Sequence, residues 1–184
     1  VKRSLKILLY AFGRQWVRRE KELRRLRRLA YEDELTGIGN LRAFREGMTR
    51  LMNAGERFAL LYLDLDRFKE VNDRFGHLAG DRVLREVAAV LGELATGRTR
   101  AYRLGGDEFA LVVPADGDTG AVMESLRREF TSSNRLRIGD LHVGASVGVA
   151  RFPEDGGTCE QLIGCADRGM YVEKGMRGLG EGVG

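Results

Sequence analysis

The sequence predicts an α+β fold of ferredoxin-like type: a central, mostly antiparallel sheet flanked by helices and preceded by a long N-terminal helix. Three observations lead there. Helical periodicities alternate with short β-runs and hairpin signals. Phe58–Leu65 is a near-continuous apolar run, too short for a typical helix, and reads as a buried central strand. Before residue 33 the pattern changes to a heptad repeat in a strongly basic background.

The heptad segment comes first in the chain. Leu9, Trp16, Leu23 and Ala30 recur every seventh residue, as do Leu5, Phe12, Arg19 and Leu26. Two such series offset by four form the a/d seam of a coiled coil, with Arg19 as its one polar member. The same stretch explains the charge. Residues 1–29 hold eleven Lys/Arg against two Asp/Glu, a local +9, so the rest carries −5 within an overall +4. A mildly acidic globular part without its own basic face argues against a polymeric nucleic-acid partner. A dimerising or linker helix fits better than a nucleic-acid or membrane-binding arm. Such a helix would continue an upstream sensor or regulatory domain, or dock against its twin.

Within the globular part, Asn40 is a good N-cap for a helix to about Met52, with Leu41, Phe44, Met48 and Leu51 on one face. After the central strand, a short helical turn at Arg67–Phe75 leads past Gly76 into a helix at about Ala79–Leu94. Arg100–Leu104 and Glu108–Val113 read as strands joined at Gly105-Gly106. A helix is expected at Thr119–Thr131, then a hairpin of Arg135–Ile138 and Leu141–Phe152 turning at Gly139-Asp140. Thr158 and Gln161 form a capping box for a last helix reaching Lys174. The expected division is a helix at 1–32, a domain at 33–177 and a flexible Gly-rich tail at 178–184. No stretch approaches the roughly 20 apolar residues of a membrane span. Cys159 and Cys165 lack zinc-type spacing, so a reduced, cytoplasmic setting is the simpler expectation.

Acidic residues cluster in two places: Asp64 and Asp66 at the exit of the buried strand, and Asp107 and Glu108 after the Gly-Gly pair. Neighbouring strand ends can bring such carboxylates within a few ångströms, where they repel unless a cation lies between them. Hard oxygen ligands favour magnesium. The alternative is that each is an ordinary solvated loop acid. Gly105 and Gly106 lack a Cβ and would let a nucleotide lie against the turn. Lys69, Asn72, His77 and Asp81 follow the first cluster. Lysine suits phosphate, and Asn with Asp can read a guanine edge, although surface solvation or capping explains any one of them alone.

The run Tyr102-Arg-Leu-Gly-Gly-Asp-Glu-Phe resembles the motif that names the GGDEF domains. Asp33-Glu-Leu-Thr-Gly-Ile-Gly-Asn resembles the opening motif of that family, and the run from Asp64 through Asp81 resembles its long central motif. Ala145-Ser-Val-Gly-Val-Ala and Ala166-Asp-Arg-Gly-Met-Tyr-Val-Glu-Lys resemble the two later ones. The resemblance runs from Asp33 to about Lys174 and implies a nucleotide-cyclase-type domain with diguanylate cyclase activity, joining two GTP into cyclic di-GMP with release of pyrophosphate. It implies two Mg2+ per site, with Mn2+ as a possible substitute, bound by Asp64, the carbonyl of Leu65, Asp107 and Glu108. Asp107 is the implied base for the 3′-hydroxyl. Asn72 and Asp81 would hold guanine, and Lys69, His77 and Lys174 would lie near the phosphates. One site holds one GTP, so a homodimer is implied. The sequence departs from the family pattern in three places. Thr96 and Thr99 occupy the positions of the Arg-x-x-Asp product-inhibition motif, Arg177-Gly-Leu follows Lys174 where Gly-Arg-Asn is usual, and Leu41 precedes Arg42 in place of an arginine pair. Two other readings are a binding module that holds GTP or cyclic di-GMP without making product, and a helix-driven interaction protein with no nucleotide site.

Overall fold

The structure, a computed structural model, describes residues 2–180, with side chains described for 15–171. In chain order it contains α1 (Lys2–Tyr31), α2 (Leu41–Asn53), β1 (Phe58–Leu65), α3 (Phe68–Phe75), α4 (His77–Leu94), β2 (Arg100–Gly105), β3 (Glu108–Pro114) and α5 (Thr119–Ser132). A 3₁₀ turn (Asn134–Leu136), β4 (Arg137–Ile138), β5 (Leu141–His142), β6 (Ala145–Phe152) and α6 (Cys159–Gly180) complete it. The main sheet has the order β2-β3-β1-β6 with every neighbouring pair antiparallel, which is the ferredoxin-like arrangement expected from the sequence.

β1 is central because its side chains suit nothing else. From Phe58 to Leu65 every residue is buried except Asp64. Its odd-numbered residues Leu61, Leu63 and Leu65 pack with Val83, Val87 and Leu91 of α4 and with Leu126 of α5. Leu60 and Tyr62 point the other way, into a second core with Phe44 and Met48 of α2 and Leu162 and Ala166 of α6. Strand alternation therefore sends Tyr62 and Asp64 to the α2/α6 side.

The caps read from sequence hold. Asn40 Oδ1 accepts the Ala43 N–H at 2.9 Å, starting α2, while its Nδ2 donates to the Ala30 carbonyl at 3.1 Å. One side chain thus closes the end of α1 and opens α2. For α6, Thr158 Oγ1 accepts the Gln161 N–H at 3.2 Å, and Gln161 Oε1 accepts the Gly157 N–H at 2.8 Å rather than that of Thr158.

Four boundaries differ from expectation. α4 starts at His77 rather than Ala79, since Gly76 at φ +81° already separates it from α3. β2 continues through Gly105 with a register shift after Arg103, so the tight turn is Gly106-Asp107 rather than Gly105-Gly106; Gly106 takes φ +51° there. The expected second hairpin is divided. β4 and β5 form a separate two-stranded sheet, and β6 begins only after Val143-Gly144. The chain changes partners at the break: the Val143 N–H donates to the Leu136 carbonyl at 2.9 Å, outside the main sheet, whereas the Gly144 carbonyl accepts the Asp66 N–H at 3.0 Å beside β1. Finally, α6 runs past Lys174 to Gly180, with no proline to stop it.

On α1, Trp16 is 63% exposed, Leu23 56% and Leu26 53%, so the heptad seam faces solvent within this single chain. Leu5, Leu9 and Phe12 of the same seam lie outside the described side chains.

Gly148 fixes how closely α6 lies on the sheet. A Cβ there would meet the Ala166 carbonyl oxygen at 1.8 Å and the Met170 nitrogen at 3.1 Å, both rigid backbone. Gly148→Ala should therefore lower stability by about 1–3 kcal/mol, the usual cost of overpacking. Urea denaturation checks this, and an unchanged midpoint would contradict the tight packing of α6 on β6.

Candidate active site

Register brings the two acidic clusters together. Asp64 on β1 lies directly opposite Glu108 on β3 and, on its other side, opposite Ser146 on β6. One residue further on, the Leu65 N–H donates to the Asp107 carbonyl at 3.3 Å. Asp64, Leu65, Asp107 and Glu108 thus share one end of the sheet, and Asp64, Asp107 and Glu108 are half-buried there. Gly105 and Gly106 lie exposed beside them.

The chain then turns straight into α3, with Arg67 at φ +63°, an unusual conformation for a residue with a side chain. Exposed Lys69 and half-buried Asn72 sit three residues apart on α3 and so share a face. Exposed His77 and half-buried Asp81 open α4. Among the described residues the Asp81 carboxylate has only a loose 4.0 Å contact with Arg85. Lys174 lies on α6, but its side chain is outside the described residues. The Asp66 carboxylate is not turned to the same use: it accepts the hydroxyl of fully buried Ser146 at 2.7 Å.

Two residues that sequence reasoning passed over organise the site. Tyr62 is the first. Its hydroxyl donates to Glu108 Oε1 at 2.6 Å. Burial pushes its phenol well above the ordinary tyrosine value, and the hydrogen bond to Glu108 and the negative charges of Glu108, Asp167 and Asp64 add to this. The phenol therefore stays a neutral donor among three carboxylates, one of them Asp167 on α6. Period-2 spacing from Asp64 was the available signal for Tyr62; Asp167 lies in a motif-like run of α6, but its approach to Tyr62 exists only in the folded chain.

Arg103 is the second. Its guanidinium donates to the Gly106 carbonyl at 3.1 and 2.8 Å and to the two Asp33 oxygens at 3.1 and 3.3 Å. Burial alone would raise the Asp33 carboxyl. Hydrogen bonds from Thr36 and Arg103, with the guanidinium charge, hold it instead below the usual carboxylate range. The Asp33–Asn40 loop is also laced to β2 by Arg103 N–H to Gly39 O at 2.8 Å and Gly39 N–H to Ala101 O at 3.2 Å. The end of α1 and the Gly106 turn are therefore joined through one arginine.

Among the described residues no three His, Cys, Asp or Glu side chains converge closely enough to cage a metal by themselves. Magnesium does not need that, since it usually takes one or two carboxylates and completes its shell with water and substrate phosphates. The hard oxygens of Asp64 and Glu108, set side by side, fit that requirement.

These features can be set against known proteins. The family model described as "Diguanylate cyclase, GGDEF domain" matches residues 30–178. The chain belongs to the GGDEF domain family. It is 38% identical over 167 residues to the diguanylate cyclase VdcA of Vibrio cholerae, covering 86% of this chain and 48% of that protein. With the diguanylate cyclase DgcN of Escherichia coli it is 42% identical over 159 residues, 83% of this chain and 39% of that one. The chain thus spans less than half the length of either relative. Among solved structures, the coiled coil and GGDEF domain of DgcB from Caulobacter crescentus in complex with c-di-GMP is 31% identical, with a TM-score of 0.74 over 93% of this chain and 94% of that one. That coverage extends beyond the domain matched by the family model, so part of helix α1 falls within the agreement with the coiled coil and GGDEF domain of DgcB.

Within the GGDEF domain, Thr99 is only 6% exposed, and its carbonyl accepts from Arg100. It is a folded-in residue rather than a surface ligand. Arg98 is engaged by Glu56 and, at 3.7 Å, by Asp116.

The Asp33–Arg103 pair gives a test of this wiring. Arg103→Met keeps the side-chain bulk but leaves the Asp33 charge half-buried, and should cost about 1.5–3 kcal/mol, the worth of hydrogen bonds to a charged group. Because the folded value of Asp33 is depressed, its contribution is complete above the unfolded carboxylate pKa and is lost as pH falls through the folded value. Urea midpoints measured from pH 7 down to pH 3 should show a weaker acid dependence in the variant. Equal acid limbs would contradict the pairing.

Proposed function

We propose that this chain is a diguanylate cyclase unit that condenses two GTP into cyclic di-GMP and pyrophosphate. The observation that carries the reading is the direct cross-strand pairing of Asp64 with Glu108, with Asp107 bonded to Leu65 beside it and the Asn72/Asp81 helices adjoining.

Each residue then has a physical task. The Asp81 carboxylate can accept from both N1–H and the 2-amino group of guanine, which adenine does not offer, and the Asn72 carboxamide can pair with the remaining edge. Lys69, His77 and Lys174 supply positive or donor groups to the triphosphate. The exposed Gly105 and Gly106 leave room for the nucleotide on the turn. Asp107 takes the proton of the 3′-hydroxyl that attacks the α-phosphorus of the opposite GTP, and pyrophosphate leaves. Asp64, the Leu65 carbonyl, Asp107 and Glu108 would hold two magnesium ions, with manganese able to substitute. Bound magnesium would supply charge neutralisation for the triphosphate and its leaving group. Tyr62 orients Glu108 by occupying one of its oxygens.

One site binds only half of the reactants, so two copies must face each other. The exposed seam of Trp16, Leu23 and Leu26 on α1 supports a homodimer held by that helix, which raises the effective concentration of one domain at the other. Upstream control through α1 would reach the turn by way of Asp33 and Arg103. Thr96 and buried Thr99 in place of the Arg-x-x-Asp pair favour control by dimer geometry over product inhibition at that position. Among the described residues no helix is long and apolar enough to cross a membrane, and Cys159 and Cys165 are free thiols, which supports a cytoplasmic setting.

Incubation with GTP and magnesium followed by chromatography is the direct test. Cyclic di-GMP should form from GTP and not its adenine counterpart from ATP. Asp64→Asn and Asp107→Asn should each reduce synthesis at least 100-fold, by an estimate of about 3 kcal/mol for a charged contact, with circular dichroism unchanged. Binding of GTP without any product would leave a binding module, and no binding at all would leave an interaction domain.

Removal of residues 1–30 makes pairing bimolecular. Specific activity of the shortened protein should rise steeply with its concentration over the micromolar range, while that of the intact chain stays flat. Parallel curves for the two would sink the role given to α1.

A further inference from the structure

Gly80 lies buried in the first turns of α4, where its conformation is helical and any residue would fit the backbone. Glycine in a helix interior is unfavourable relative to alanine, so its presence needs another cause. The cause is across the α3/α4 crease. A Cβ at Gly80 would fall 2.1 Å from Asn72 Oδ1, 3.1 Å from Asn72 Cγ and 3.2 Å from Phe68 Cζ. The Asn72 carboxamide therefore rests directly on the Gly80 backbone. Among the described residues no hydrogen bond holds that carboxamide, while the Asn72 main-chain carbonyl accepts the Gly76 N–H at 3.0 Å. Its position is set by shape, and its donor and acceptor are both left for a ligand. The next residue after Gly80 is half-buried Asp81, in the first turns of the same helix.

We infer that Gly80 is a positioning residue for base recognition: by lacking a Cβ it lets Asn72 lie in the crease beside Asp81, so that amide and carboxylate read one guanine together. This rests on the proposal that the site takes GTP.

The inference separates stability from recognition. The atom that an alanine Cβ would strike first is the far end of a flexible side chain, which can rotate away. Gly80→Ala should thus melt no lower than the unmutated protein, while Asn72 is displaced. Calorimetric titration of the full chain with GDP and with ADP provides the readout. Gly80→Ala should weaken GDP binding about 2- to 10-fold, the worth of one neutral hydrogen bond, leave weak ADP binding unaltered, and match the loss from Asn72→Ala. The double variant should be no weaker than either single one, because Gly80 acts through Asn72. Additive losses, or GDP binding by Gly80→Ala equal to that of the unmutated chain, would overturn the assignment. A drop in melting temperature that Asn72→Ala does not relieve would also overturn it, making Gly80 a packing residue against Phe68. Absence of GDP binding by the unmutated chain would instead bring down the nucleotide reading on which it stands.

Discussion

The register of β1 is the constraint on which the rest depends. A strand buried on both faces has no freedom to slide: a one-residue shift would exchange the Leu61/Leu63/Leu65 face for the Leu60/Tyr62/Asp64 face and drive a carboxylate into the α4 core. Holding that register places Asp64 between Glu108 and Ser146, and puts the Asp107 carbonyl within reach of the Leu65 N–H. The acidic end of the sheet is thus a consequence of apolar packing several residues away. The same burial makes the carboxylates costly to gather unless they find donors, and the neutral Tyr62 phenol supplies one to Glu108.

The second organising element is polar and spans long sequence distances. Asn40 closes α1 and opens α2, and Arg103 ties the Asp33 loop to the Gly106 carbonyl. Arg103 and Asp33 form the most shielded ion pair among the described residues, at 14% and 23% side-chain exposure. Exposed pairs elsewhere, such as Arg24 with Glu20, are worth little by comparison. The loop that follows α1 is thus tied to the turn that carries Asp107 by the Arg103 guanidinium, alongside the backbone bonds of Gly39 to β2. Helix α1 itself leaves Trp16, Leu23 and Leu26 of its apolar seam outward rather than against its own domain.

A third tether runs along the opposite edge of the site. Glu70 accepts from both Arg67 and Arg74, and Arg74 reaches Asp140 on the β4–β5 turn at 2.8 Å. The small β4–β5 sheet, which departs from the expected hairpin, is thereby held against α3, the helix that carries Lys69 and Asn72. The two sides of the candidate site are consequently contacted by different means: β3 and its turn by the shielded Arg103, and α3 by exposed ion pairs that are each worth little.

Much of this was written in local sequence. The Phe58–Leu65 run needed no partner to be recognised as a central strand, since eight apolar-dominated residues between turn signals suit little else. Asn40, Thr158 and Gln161 act within three or four residues, so their caps were legible. The motif residues Asp64, Asp107, Glu108, Asn72 and Asp81 stood out by type and spacing. Tertiary structure decided what depends on long-range approach. A predicted strand is split where the chain changes partners, Val143 bonding to Leu136 and Gly144 to the distant Asp66. Tyr62, Asp167 and Arg103 gained their roles only when β1, α6 and the Asp33 loop met. Gly80 and Gly148 are informative only beside the atoms that a Cβ would strike. Sequence determined this protein's elements and its chemical vocabulary because those rest on nearest-neighbour periodicity; the fold decided which side chains face one another, because that rests on packing between segments that sequence distance does not reveal.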